Sequence, residues 1–90
     1  MGRETRLFKS QERKTRAEAA EFLRLLADKV DKDEVVLRQG GEDIALRLPG
    51  SLILEIQVED EDKGAKGVQH SLEIEIKWFD GEQGGPVELA

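Results

Sequence analysis

Ninety residues, 38% of them apolar and 38% charged, can bury one thin core. No apolar run approaches the ~20 residues of a membrane-spanning helix, and with no cysteine the chain has neither disulfides nor thiolate chemistry. The net charge of −6 is unevenly placed: residues 1–16 hold six bases against two acids, the remainder eight bases against eighteen acids.

An acidic body disfavours nucleic acid and leaves the basic N-terminal stretch as the segment suited to phosphates or an acidic partner. No apolar h-region follows Met1, so no secretory signal is read. Together with the missing cysteines this gives the expectation of a cytoplasmic protein with no membrane association.

In chain order, residues 4–11 read as a weak edge strand with Phe8 turned inward and Leu7 outward. Thr15-Arg16-Ala17-Glu18 has the capping-box form, Thr15 at the N-cap and Glu18 at N3. The helix it opens runs to about Val30, with Ala19, Phe22, Leu23, Leu26, Ala27 and Val30 at the spacing of one apolar stripe. Residues 34–39 and 42–48 form a hairpin about Gly40-Gly41, both free to take positive φ. That turn pairs Val35 with Leu46, Leu37 with Ile44, and Arg38 with Asp43. A nucleotide loop is excluded there, because G-x-G-x-x-G is missing and no helix follows.

Pro49-Gly50-Ser51 is read as a turn that pairs Leu48 with Leu52, Leu46 with Leu54 and Ile44 with Ile56. Residues 51–59 and 71–78 then alternate apolar and polar, which gives a strand one dry face and one wet face. Val58 opposite Leu72 sets Ile56 against Ile74, Leu54 against Ile76 and Leu52 against Trp78. The segment 60–67 reads as a charged, mobile loop, and residues 80–90 as a flexible tail beyond a single domain of residues 1–79.

The resulting expectation is an α+β two-layer sandwich, β-α-β-β-β-β, with one helix packed on a mainly antiparallel five-stranded sheet. Its core joins Leu54, Ile56, Ile74, Ile76 and Trp78 to Phe22, Leu23, Leu26 and Val30.

Candidate chemistry is sparse. His70 is the sole histidine, falls near Asp60 in this register, and has no cysteine or G-x-S-x-G serine to work with. The run Glu59-Asp60-Glu61-Asp62 lacks the spacing of a calcium loop. Trp78 reads as a cap on the core rather than a ligand platform. The wet sheet face is the sharper case. Glu55 opposes Glu75, Gln57 opposes Glu73, and Ile53 opposes both Lys77 and Arg47. Like charges directly opposite are unfavourable unless compensated, here by Arg47 and Lys77. With Phe79 these residues, Arg47, Ile53, Glu55, Glu73, Glu75 and Lys77, make the candidate interaction surface.

The amphipathic strand ending in tryptophan, Leu72-Glu73-Ile74-Glu75-Ile76-Lys77-Trp78, resembles that of the amphi-Trp domain family. So do the helix start, Thr15 to Ala20, and the strand Leu52 to Glu59. The resemblance covers residues 5–79. It implies no established activity and brings no catalytic residues. The expected function is therefore a small non-enzymatic interaction or structural module with a protein partner or a second copy. It has no cofactor, metal or catalytic site assigned. The alternative is a small-ligand or cation-binding domain using the acidic outer carboxylates.

Overall fold

The computed structural model describes residues 2–81, and the expected C-terminal tail falls largely outside the described residues. It divides the chain into two compact units, Met1–Leu48 and Pro49–Ala90.

The first unit holds helix α1, Arg16–Asp31, and strands β1, Glu34–Gln39, and β2, Glu42–Arg47. Helix α1 starts where the capping box places it. The Glu18 N–H donates to Thr15 Oγ1 at 3.1 Å and the Thr15 N–H donates to Glu18 Oε1 at 2.9 Å. Two of the donors that a helix start leaves unpaired are thereby satisfied. At the other end Asp33 takes a left-handed φ of 66°, reversing the chain into β1.

β1 and β2 form an antiparallel hairpin in the expected register, with Val35 opposite Leu46, Leu37 opposite Ile44 and Arg38 opposite Asp43. Gly40 and Gly41, at φ 56° and 84°, make the tight turn that a side chain would strain. Helix α1 packs on β1, and the buried core is Val35 and Leu48. The Leu48 N–H donates to the Asp33 carbonyl at 2.8 Å, tying the exit of the hairpin to its start. Along the helix, Ala20, Leu26 and Val30 are half-buried, while Phe22, Leu23 and Leu25 stay about half exposed.

The second unit is built on strands β3, Ile53–Asp62, and β4, Val68–Lys77, ten residues each. Their antiparallel register carries the expected pairs Leu54–Ile76, Ile56–Ile74 and Val58–Leu72. The ribbon is longer than the sequence suggested. Asp60, Glu61 and Asp62 belong to β3, opposite His70, Gln69 and Val68, so the expected charged loop shrinks to a tight turn with a single 3₁₀ turn over Gly64–Lys66. Acidic residues have poor strand propensity. Here the turn overrides that preference: Asp62 Oδ1 accepts the Gly64 N–H at 2.8 Å, and the Lys63 N–H donates to the Gly67 carbonyl at 2.8 Å.

The five-stranded sheet is not formed. The strands make two separate two-stranded sheets, β1–β2 and β3–β4, within an α+β chain. Residues 2–15 contain no strand, although Phe8 is half-buried and Leu7 is exposed, the orientation expected. Two apolar residues among charges offer a ladder too little to hold. The expected ladder from β2 to β3 is not formed, so Leu46–Leu54 and Ile44–Ile56 are not ladder pairs. Alternation fixes which side of a strand is apolar, but not which strand lies beside it. Pro49 lacks the N–H a continuing ladder would use, and the N–H before it is already spent on Asp33.

The expected core is corrected with it. Leu54, Ile56, Val58, Leu72 and Ile74 are 60%, 63%, 73%, 68% and 53% exposed, and Ile76 and Trp78 are half-buried.

Candidate functional site: the two faces of the β3–β4 ribbon

Period-two alternation sorts the ribbon into two surfaces. One carries Glu55, Gln57, Glu59 and Glu61 from β3, with Gln69, Ser71, Glu73, Glu75 and Lys77 from β4. The other carries Leu54, Ile56 and Val58 opposite Leu72, Ile74 and Ile76.

On the polar face Glu55 stands opposite Glu75, as the sequence indicated. Their repulsion is relieved by Lys77. Its Nζ donates to Glu55 Oε1 at 2.7 Å and lies 3.6 Å from Glu75 Oε1. The hydrogen bond to Glu55, then that carboxylate's charge, and then Glu75 hold the Lys77 ammonium above its ordinary pKa. Glu73 faces Gln57, whose side-chain amide donates to the neighbouring Glu59 carboxylate. The carboxylates of Glu55, Glu73 and Glu75 share one open groove with Gln57. Its positive charge comes from the chain itself.

Of the other expected surface residues, Ile53 opens β3 opposite Lys77 and is about half exposed, and Phe79 lies just past β4, 71% exposed. Both line an open concavity of about 480 Å³ with Ile76, Lys77 and Trp78. Arg47 is the exception. It ends β2 in the other sheet, opposite Glu34, with its guanidinium 3.5 Å from that carboxylate. It is therefore not a ladder partner of Ile53, and the cation beside the Glu55–Glu75 pair within the ribbon is Lys77. Among the described residues no group of three or more His, Cys, Asp or Glu side chains is gathered so as to hold a metal ion.

The apolar face has a defined far end. His70 Nδ1 and Asp60 Oδ1 meet there at 2.6 Å, both side chains mostly exposed. By strand parity the pair shares the side of Val58 and Leu72. It marks where the dry surface gives way to water. The sequence contained this signal. A strand whose dry side runs into Asp60 and Asp62 is not dry along its whole length, and its apolar part need not be a core.

The strand that supplies half of this surface ends Ile74-Glu75-Ile76-Lys77-Trp78, with the tryptophan immediately after the last paired residue. The profile of the Amphi-Trp domain matches residues 1–90. The chain belongs to the amphi-Trp domain family. No curated protein and no solved structure matches it. For this amphi-Trp domain the chemistry therefore has to be read from the two faces themselves. Among the described residues no helix is long and apolar enough to cross a membrane.

Proposed function

We propose that this amphi-Trp domain is a small non-enzymatic interaction module whose working surface is the apolar face of β3–β4. The observation that supports it is the exposure, each above one half, of Leu54, Ile56, Val58, Leu72 and Ile74 along one side of one ribbon. Scattered exposed aliphatics need no explanation, but a contiguous row of them marks a surface that meets another macromolecule. A two-stranded ribbon is marginally stable in water alone and gains stability when its apolar side is covered. The polar face serves solubility, with Lys77 as internal counter-charge. The outer residues Ile53, Glu55, Glu73, Glu75, Lys77 and Phe79 become the back and rim of the module. The module works in the cytoplasm, a placement supported by a chain without cysteine.

A photo-reactive phenylalanine analogue at Ile56, compared with the same group at Gln57 on the opposite face, tests this reading. The expected result is a discrete protein adduct, self or foreign, from position 56 and none from 57. Adducts from neither position, or equally from both, overturn it.

A further inference from the structure

A second surface lies in the first unit, on the segment that leads into α1, and we infer that it binds the phosphate backbone of double-stranded nucleic acid. Phe8, Ser10, Glu12 and Lys14 line one groove with Phe22 of α1 and Val36 of β1. Every second residue facing one way is the spacing of an extended chain, even where no ladder forms. Glu12 is engaged on that inner side. It accepts from Ser10 Oγ at 3.4 Å and lies 3.4 Å from Lys14 Nζ. Leu7, Lys9, Gln11 and Arg13 therefore take the outer side, where Leu7 is 69% exposed. Half-buried Phe8 seats the segment in the groove, so its outer side is held in place before any partner arrives.

The charge on this outer side is of one sign. Arg3 and Arg6 precede it and Arg16 opens α1 just beyond it. Arg3, Arg6, Lys9, Arg13 and Arg16 are all exposed. Among the described residues none of them is in a salt bridge or a side-chain hydrogen bond. Glu4 is the one acid that remains beside them. In a chain with 20 acids, these neighbouring cations are left without a carboxylate.

The form of the strip selects among polyanions. Residues 3 to 13 reach at most about 35 Å when extended, about one turn of a duplex. A duplex carries one negative charge per about 1.7 Å of its axis, and cations that neutralise it gain by releasing its counterions. Four of the five bases are arginines, whose planar fork matches a phosphate. An anionic membrane is a plane, and it would repel the acidic remainder while it attracted the strip. Leu7 is the only large apolar side chain turned outward with the bases, too little to anchor the segment in lipid. An acidic protein segment offers exposed ion pairs, each worth little. Single strands are held by stacking bases on aromatic rings, and the aromatic of this segment, Phe8, is turned inward. Phosphate contacts position a protein without reading sequence, so the binding is sequence-independent. The acidic remainder keeps it weak.

Fluorescence anisotropy of labelled DNA duplexes of two unrelated sequences, titrated with the full chain from about 50 to about 200 mM salt, tests this inference. The expected result is equal binding to both. The logarithm of affinity falls against that of salt with a slope of about −4.5, the value for five phosphate contacts. Lys9→Gln and Arg13→Gln are each expected to reduce the slope by about 1. Lys29→Gln, the same charge change in the last turn of α1, leaves it unchanged. Circular dichroism of each variant confirms that α1 is intact. Vesicles containing phosphatidylserine and a polyglutamate peptide, used as competitors, are expected to displace the duplex poorly. Three results overturn the inference: no binding at about 50 mM salt, a slope that neither Lys9→Gln nor Arg13→Gln changes, or vesicles or polyglutamate bound as tightly as the duplex. Photo-adducts at position 56 report on the other unit, so the two readings fail separately.

Discussion

The ammonium of Lys77 lies between two carboxylates that face each other across β3 and β4, 2.7 Å from Glu55 and 3.6 Å from Glu75. Which of the three charges is removed decides the sign of the effect. Glu75→Gln takes away one member of the repelling pair and leaves the shorter Lys77–Glu55 contact intact. The expected change is none, or a rise in melting temperature of about 1–2 °C, the size of a cross-strand pair effect in a small domain. Lys77→Met removes the shared cation and leaves Glu55 and Glu75 opposed, so the melting temperature falls. Because Lys77 already supplies the positive charge, millimolar calcium or magnesium is expected to leave both melting temperatures where they are. A ligand that binds only the folded state must raise them, so a cation-dependent rise lost in Glu75→Gln would restore the cation-binding alternative. The raised pKa of Lys77 gives a contribution fully present below the ordinary lysine value and lost as pH climbs through the folded one. The comparison is therefore made at neutral pH.

Among the elements, helix α1 is the one whose boundary was most legible. Thr15 and Glu18 announce its first turn, and both reciprocal hydrogen bonds form. Hydrogen bonds from the Thr15 backbone and then its side chain, helped by Lys14, hold the Glu18 carboxyl below its usual pKa. That stabilisation is present above the ordinary glutamate value and lost as pH falls through the lower folded one. Circular dichroism of Thr15→Ala is expected to show a helix destabilised by about 0.5–2 kcal/mol. The wild-type acid transition, beginning below the ordinary glutamate pKa, is expected to weaken in Glu18→Gln. An unchanged midpoint in Thr15→Ala would place the start of the helix elsewhere.

Both hairpins were legible in register for the same kind of reason. Gly40-Gly41 admits one tight turn, and alternation from Leu54 to Val58 and from Leu72 to Ile76 admits one parity. What alternation does not encode is the neighbour. Leu46 and Leu54 are as compatible in a ladder as Leu54 and Ile76, yet only the second pair exists, because Leu48 and Pro49 end the first ladder. The acidic end of β3 was hidden by propensity, since Asp60-Glu61-Asp62 resembles a loop until the turn at Gly64–Lys66 is seen to pair it.

At the scale of the whole molecule, the sequence shows which surfaces are apolar and leaves open which of them are covered. Leu54 and Val35 are both aliphatics on the dry side of a hairpin, and one is 60% exposed while the other is 5% exposed. Periodicity is identical for a core and for a contact surface. The candidate surface read from sequence was the polar face, chosen for its opposed glutamates, and the working surface proposed above is the side behind it. The central claim is that this side lies open to solvent in the free chain and is covered on association. Methyl-resolved NMR with a soluble paramagnetic co-solute reads that exposure residue by residue. In dilute protein the account predicts that the methyl groups of Ile56, Ile74, Val58 and Leu72 relax as fast as the exposed Leu7 and far faster than the buried Val35 and Leu48, and that they become protected in the complex. Methyl groups at Ile56 and Ile74 as protected as Leu48 in the dilute monomer would contradict it.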